Sequence, residues 1–107
     1  MSRHLRLEAL LNVLWLERAE ADLNEIFDFL IEQDPGAAVR NYLFIRERVG
    51  LLGDYPALGR PGRVVDTREL VIPSTPYIVA YTLDRNIDAV VVLRVLHGAR
   101  LWPEEPA

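Results

Sequence analysis

Apolar residues along the chain follow two different periods, and the change between them separates helical from extended segments. The run from Asn12 to Leu16 is apolar, with branched and aromatic side chains, and predicts a first strand. From Glu17 to Gln33 the apolar residues recur at helical spacing, so this segment predicts a helix. Its apolar stripe consists of Ala19, Leu23, Ile26, Phe27 and Leu30.

A second helix is predicted to follow at once. Asp34 can cap it, and Pro35 suits the first helical position, where a backbone N–H would have no helical partner. We expect this helix to reach about Leu52 and to form a hairpin with the first helix. Its buried stripe is predicted to be Ala38, Tyr42, Ile45, Val49 and Leu52.

The second half of the chain predicts a loop followed by a sheet. The segment from Gly53 to Val65 is rich in glycine and proline and predicts an irregular loop. Strands are expected at about 67–72, 76–83 and 89–97, with a hairpin loop at Asp84–Asp88. Because short links join them, these strands predict a three-stranded antiparallel sheet. The fold class is therefore α+β, with an N-terminal strand, a helical hairpin and that sheet in the order β-α-α-β-β-β. The sequence does not determine which of the later strands lies beside the first strand.

Length and composition indicate one domain in a reducing compartment. The 107 residues form a single expected domain, 1–107, of which residues 1–10 fall outside the pattern and could be a short helical arm or an N-terminal extension. The chain has no cysteine, which excludes disulfides and favours the cytoplasm. The longest apolar run, Ala89 to Leu93, is far too short to span a membrane. The two histidines, His4 and His97, cannot form a metal site by themselves, and we expect no cofactor.

Charge is unevenly distributed along the chain. The net charge of −4 argues mildly against a general nucleic-acid binder. Residues 8–34 hold eight acids and one arginine, whereas residues 60–107 hold six of each sign. All twelve basic residues are arginine. Arginine suits bidentate contacts to phosphate or carboxylate, although the codon bias of a GC-rich genome would also explain the absence of lysine.

His97 and Arg68 are the candidates for catalysis. His97 lies at the end of the last strand, on one face with Leu93 and Val95, where it could act as a general acid or base or be structural. Arg68 begins a strand just past the loop. It could clamp a phosphate, or it could form a salt bridge with Glu69 or Asp66.

Other residues are candidates for contacts to a partner or to nucleic acid: Arg60, Arg63, Arg94, Arg100 and Tyr81. Arg60 and Arg63 belong to the loop, where solvation is the simpler expectation. Arg94 lies in an apolar strand, so its charge must be paired, with an acid such as Glu69 or with loop carbonyls. Tyr81 could stack on a base, but it could equally pack in the core.

Several short segments together resemble one known family. These are Trp15 to Ile26, Pro56-x-Leu58-Gly59-Arg60-Pro61, Arg68-Glu69-Leu70, Tyr77-Ile78-Val79-x-Tyr81 and Arg94 to His97. In this order they resemble the RelE/ParE superfamily, the toxins of bacterial type II toxin–antitoxin modules. The resemblance implies a toxin that a cognate antitoxin neutralises by wrapping it, in a hetero-oligomer.

The family divides by activity, and the resemblance leaves the division open. RelE-like members cleave mRNA on the ribosome, and ParE-like members poison DNA gyrase. By resemblance, Arg68 would be the phosphate-binding arginine and His97 the acid, catalytic only in a nuclease. The position of the nuclease base falls near Gly62 or Arg63, where no carboxylate stands, and the lysines of one nuclease branch are missing.

These departures favour a ParE-like gyrase inhibitor, a growth-inhibiting toxin of the plasmid-stabilisation kind. A ribosome-dependent endoribonuclease is the first alternative, and an inactive antitoxin-binding regulatory module is the second. Whether the chain is an enzyme depends on which of these holds.

Overall fold

The computed structural model describes residues 11–98, and these confirm the α+β class and the expected order of elements. The predicted extension at residues 1–10 and the candidate Arg100 lie outside the described residues. No helix within residues 11–98 is long and apolar enough to cross a membrane. The elements are β1 Asn12–Trp15, α1 Glu17–Gln33, α2 Pro35–Gly50, a short 3₁₀ turn Leu51–Gly53, β2 Arg60–Pro61, β3 Thr67–Val71, β4 Tyr77–Asp84 and β5 Ala89–His97.

The joint of the helical hairpin forms as the sequence predicts. Asp34 lies between the two helices, and its Oδ1 accepts a hydrogen bond from the Ala37 N–H at 3.1 Å. Pro35 occupies the first turn of α2, where no intrahelical partner for an N–H exists. The second helix ends at Gly50, slightly earlier than expected, because the chain tightens into the 3₁₀ turn that carries the buried Leu52.

The sheet has five strands in the order β1-β5-β4-β3-β2, where the sequence predicted three antiparallel strands and an unplaced first strand. β1 runs parallel to β5, and the chain between these two strands contains the helical hairpin and the strands β2 to β4. β2 pairs antiparallel with β3 at the sheet edge. The sequence missed β2 because a two-residue strand has no periodicity and Pro61 lacks an N–H for the ladder.

The core lies between the helical hairpin and one face of the sheet. Leu23 from α1 and Ile45 and Val49 from α2 are fully buried there. They pack against sheet residues that include Val79, Tyr81, Val90, Val92 and Val95. The apolar stripe of the helices thus packs against the core-facing residues of the strands in one apolar layer. The loop at residues 54–66 includes β2 and so lies at the edge of the sheet opposite β1.

A β-bulge in β5 changes which residues share a face with His97. Tyr81 pairs with Val92 and Ala80 pairs with Arg94, so Leu93 is an extra residue without a partner in this register. The expectation that Leu93 shares the face of His97 is therefore wrong. Side chains do not alternate between the two faces across the bulge, so Val92, and not Leu93, lies on the same face as His97.

The edge of β5 beyond the bulge is completed by a helix side chain. β1 ends opposite Val92, and beyond it the Val95 N–H of β5 donates to Asp22 Oδ2 of α1 at 2.9 Å. Arg94 donates to the same carboxylate, from Nε to Oδ2 at 2.7 Å and from Nη2 to Oδ1 at 3.1 Å. The exposed fraction is 8% for the Arg94 side chain and 4% for that of Asp22.

Arg94 was predicted to pair with Glu69 or loop carbonyls, and to be a candidate for partner contact. Both expectations are corrected by its burial against Asp22. Strand β4 lies between β5 and β3, which puts Arg94 two strand spacings, roughly 10 Å, from Glu69, whereas Asp22 of α1 binds it directly.

A second arginine links β1 to both helices. The Arg46 guanidinium of α2 forms an ion pair with Glu20 of α1 and lies 4.3 Å from the centre of the Trp15 ring of β1. It also donates to the Tyr42 hydroxyl at 3.1 Å. Burial lowers the pKa of Arg46, but the hydrogen bonds and charges of Glu20 and Tyr42 together outweigh this effect, so the pKa lies above the usual arginine value.

Replacing Asp22 should destabilise the fold strongly. An Asp22→Ala chain leaves the Arg94 charge buried without its acid and the Val95 N–H without an acceptor, so we expect a loss of about 3–5 kcal/mol in the free energy of unfolding. Urea denaturation measures this, with Glu25→Ala on the exposed side of the same helix as the control. Equal midpoints for the two variants would show that the buried pair does not stabilise the fold.

Candidate functional site

The loop at residues 54–66 has no extended regular structure, yet three side chains of the sheet hold it in place. The first is Tyr81, whose hydroxyl accepts a hydrogen bond from the Gly59 N–H at 2.8 Å and donates one to the Pro56 carbonyl at 2.7 Å. A Cβ at Gly59 would lie 2.8 Å from the Tyr81 ring, so this close approach requires glycine. Burial raises the pKa of Tyr81 more than the Gly59 amide and Arg68 lower it, which keeps the hydroxyl protonated as a donor.

Tyr81 was a candidate for contact with a partner or a base. The structure places it in the core instead, 1% exposed, with both hydrogen-bonding functions of its hydroxyl used by the loop. The alternative expectation, core packing, is the one that the structure confirms. Tyr81 therefore acts on the site by fixing the loop.

Arg68 is the second anchor. Its Nη1 donates to the Gly59 carbonyl at 2.7 Å and lies 3.5 Å from the Ala57 carbonyl oxygen. The expected salt bridge to Glu69 or Asp66 is not among the ion pairs of the described residues. A guanidinium that binds neutral carbonyls keeps its positive charge uncompensated, so Arg68 retains the electrostatic property that a clamp for an anion needs.

Glu69 is the third anchor, and sequence reasoning missed its role. Its carboxylate is 4% exposed. Oε2 accepts from both the backbone N–H and the Nε of Arg63 at 3.2 Å, and Oε1 accepts from Arg60 Nη2 at 3.2 Å. Burial raises the pKa of Glu69, but the hydrogen bonds from Arg63 and Arg60 and their positive charges outweigh it, so the pKa lies below the usual value.

Arg60 and Arg63 are therefore engaged rather than simply solvated, which corrects the simpler expectation for them. Both remain partly accessible, with 54% and 42% of their side chains exposed. The sequence signal for this cluster was an acid inside a strand, directly before the apolar residues from Leu70 to Ile72. Such an acid must be paired once the strand is buried.

The loop and the β4–β5 hairpin enclose a cleft of about 840 Å³. Pro56, Ala57 and Pro61 of the loop and residues 83–86 of the hairpin contribute to its walls. Its charged lining comes from two acids and two arginines, which are Asp66, Arg68, Asp84 and Arg85. A lining of both signs, with threonine and asparagine beside it, suits a polar polypeptide segment better than a polyanion.

His97 lies far from this cleft. It is exposed at the end of β5, where its ring packs edge-on against Tyr77 at 6.1 Å between centres. His97 pairs with Tyr77, and Arg68 pairs with Tyr81 from the other side of β4. Four residues along β4 correspond to roughly 13 Å, and two strand spacings to roughly 10 Å. The structure therefore does not bring Arg68 and His97 together.

Within residues 11–98, no group of three or more histidine, cysteine, aspartate or glutamate side chains is arranged to hold a metal ion.

Comparison with known proteins identifies the family. A model described as "ParE toxin of type II toxin-antitoxin system, parDE" matches residues 13–102. The chain belongs to the ParE toxin family. It is a toxin component of the type II toxin–antitoxin class, so the resemblance seen in the sequence to the RelE/ParE superfamily is confirmed.

Individual relatives cover nearly the whole domain. The chain is 40% identical over 92 residues to the Y4kP protein of Sinorhizobium fredii, and the aligned region covers 86% of this chain and 93% of that protein. It is 34% identical over 89 residues to Toxin RelE2 of Caulobacter vibrioides, covering 83% of this chain and 97% of that toxin.

Among solved structures, the chromosomal ParDE TA system from P. aeruginosa contains a chain with a TM-score of 0.76 and 24% identity, covering 83% of this chain and 97% of that one. At this identity the likeness supports the fold alone.

Removing the Tyr81 hydroxyl should loosen the loop. In Tyr81→Phe the Gly59 N–H and the Pro56 carbonyl lose their buried partner, so we expect a loss of about 1–3 kcal/mol in the free energy of unfolding. Hydrogen exchange should also become faster at the Gly59 amide. Tyr55→Phe, at an exposed ring of the same loop, is the matched control. Unchanged exchange at Gly59 would contradict the anchoring role of Tyr81.

The Glu69 cluster should make stability depend on pH in the acid range. A lowered folded-state pKa means that ionised Glu69 stabilises the fold above the unfolded-state pKa, and that this contribution disappears as the pH falls through the folded-state value. We expect Glu69→Gln to lower stability at neutral pH and to flatten the acid limb of a urea-unfolding series. Asp66→Asn removes an equal charge from the neighbouring loop and serves as the control. Parallel curves for wild type and Glu69→Gln would contradict the prediction.

Proposed function

We propose that this toxin acts by binding a protein target, DNA gyrase, and that it does not cleave RNA. The observation that supports this most directly is the separation of Arg68 from His97 across the sheet. RNA cleavage by an attacking 2′-hydroxyl needs a base, an acid and a charge-stabilising group within hydrogen-bond reach of one phosphate. Arg68 is hydrogen-bonded to the loop, and His97 packs against Tyr77 at the far end of β4.

Glu69, the acid that follows Arg68 in β3, is also unsuited to act as a base. Glu69 is buried and bound by two arginines, and its lowered pKa makes it a weaker proton acceptor at neutral pH. No carboxylate stands at Gly62 or Arg63, the positions that the family resemblance marks for a nuclease base. With Glu69 paired and no acid at positions 62 and 63, this region is better suited to binding than to phosphate chemistry.

Charge supports a protein target as well. The chain carries a net charge of −4, and the cleft lining is of mixed sign. Binding to ribosomal RNA or mRNA gains most of its affinity from neutralising phosphates with clustered basic side chains. A surface of both signs is instead what complementary protein interfaces use for specificity.

The proposal includes an antitoxin partner in a hetero-oligomer in the cytoplasm. The similar solved structures come from a ParDE system and from RelBE complexes, which supports a partner of this kind. Large apolar side chains are exposed on the helical hairpin, at Phe29, Val39 and Leu43. Such side chains suit an antitoxin segment that folds as it binds.

A ribosome-dependent endoribonuclease is the second candidate. It is favoured by the similarity to Toxin RelE2 and Toxin RelE1 of Caulobacter vibrioides and by the charge of Arg68 in the cleft. Under this candidate Arg68 would bind the phosphate and His97 would be the acid.

Induced expression distinguishes the candidates. We expect growth arrest with a DNA-damage response while pulse-labelled protein synthesis continues, and we expect the purified chain to inhibit DNA supercoiling by gyrase. His97→Ala should retain at least about half of both effects, because His97 takes part in no chemistry under this proposal. Circular dichroism and urea unfolding check that the variant is folded.

Fragmented mRNA with translation stopped, abolished by His97→Ala in a folded chain, would establish the nuclease instead. A wild-type chain that causes no growth defect would contradict both candidates and favour an antitoxin-binding regulatory module.

A further inference from the structure

We infer that Arg60 and Arg63 form a preorganised site for a carboxylate on an acidic peptide segment of a protein partner, and that Glu69 is the residue that positions them. This inference rests on the proposed function in one respect, that the toxin recognises proteins. It deepens that proposal by naming the chemistry of recognition and the residues that provide it.

The geometry of the proposed site is set by the buried Glu69 carboxylate, which accepts hydrogen bonds from both arginines. Oε1 of Glu69 accepts from Arg60 Nη2, and Oε2 accepts from Arg63 Nε, each at 3.2 Å. Each guanidinium has further N–H groups, and within residues 11–98 these have no other hydrogen-bond acceptor. Because both side chains are about half exposed, these N–H groups are accessible to a ligand.

The backbone that carries the two arginines is held as well. The Arg63 N–H is itself bonded to Glu69, and Arg60 pairs with Glu69 in the β2–β3 ladder. Directly before Arg60, Gly59 is bound through its N–H by Tyr81 and through its carbonyl by Arg68. Side chains that are already ordered lose little conformational entropy on binding, so more of the interaction energy appears as affinity.

The charge of the cluster fits a carboxylate. Two arginines and one ionised glutamate leave a net charge of about +1, which one carboxylate of a ligand would neutralise. Arginine N–H groups match carboxylate oxygens in charge and geometry. A nucleic acid would need a longer basic stripe, but the neighbouring charge of Arg68 lies in a cleft that is also lined by Asp66 and Asp84. These observations favour an acidic peptide over RNA.

A binding experiment tests the positioning role of Glu69 directly. The probes are fluorescein-labelled hexaglutamate and a hexauridine RNA of the same length, titrated with the full chain at low salt and followed by fluorescence anisotropy. We expect hexaglutamate to bind, and Arg60→Ala and Arg63→Ala each to weaken that binding about tenfold.

Glu69→Gln should also weaken peptide binding, although it removes a negative charge from beside the site. Simple electrostatic attraction predicts the opposite, that the variant binds the anionic peptide more tightly. Asp66→Asn makes the same change in charge in the loop just before β3 without touching either arginine, and we expect it to bind at least as tightly as wild type. Arg60→Lys and Arg63→Lys keep the charge but lose the planar fork, and both should weaken binding.

Circular dichroism establishes whether each variant is folded. If Glu69→Gln does not fold, the two lysine variants at exposed positions still test the site. Absent binding of hexaglutamate, tighter binding by folded Glu69→Gln, or wild-type binding by both lysine variants would overturn the inference. Binding of hexauridine that depends on Arg60 and Arg63 would overturn it in favour of nucleic acid. The gyrase assay uses no acidic peptide, so its outcome tests the proposed function separately.

Discussion

The fold depends on how the edge of β5 is completed after β1 ends. A short parallel strand covers only the first part of β5, and the Asp22 carboxylate of α1 then takes the place that a further strand residue would occupy. Because the same carboxylate binds the buried Arg94, one side chain fixes the helical hairpin against the sheet and satisfies an internal charge. A buried pair of this kind costs desolvation energy, but it allows one docking position of α1 and disfavours others.

The other end of the sheet uses the same principle on a loop. Arg68 of β3 pairs with Tyr81 of β4, and Glu69 follows Arg68 in the same strand. Each of these three side chains forms hydrogen bonds with residues 56–63 of the loop. An irregular segment gains order this way without forming a helix or a strand of any length. The sheet thus carries the rigidity, while the loop presents arginines and a cleft of mixed charge to solvent. This arrangement is characteristic of recognition surfaces built on a stable scaffold.

Catalysis and recognition make different demands on such a surface. A nuclease must bring its acid, base and arginine to one phosphate, whereas the register of β3, β4 and β5 separates Arg68 from His97 by several residues along the sheet. Recognition needs complementary charge and shape over a wider area, and it tolerates groups that are spread apart. The described residues satisfy the second demand more fully than the first.

Local patterns in the sequence determined the helical hairpin, the Asp34–Pro35 joint, the three C-terminal strands and the family, because periodicity, capping and turn chemistry act between residues close in the chain. The sequence also held a signal for Asp22, an acid between the apolar positions Ala19 and Leu23. Its partner could not be named, because Arg94 is distant in sequence and a bulge changes the face of β5. The pairing of Glu69 with two loop arginines, the burial of Tyr81 and the distance from Arg68 to His97 likewise depend on strand register, and only the tertiary structure decided them.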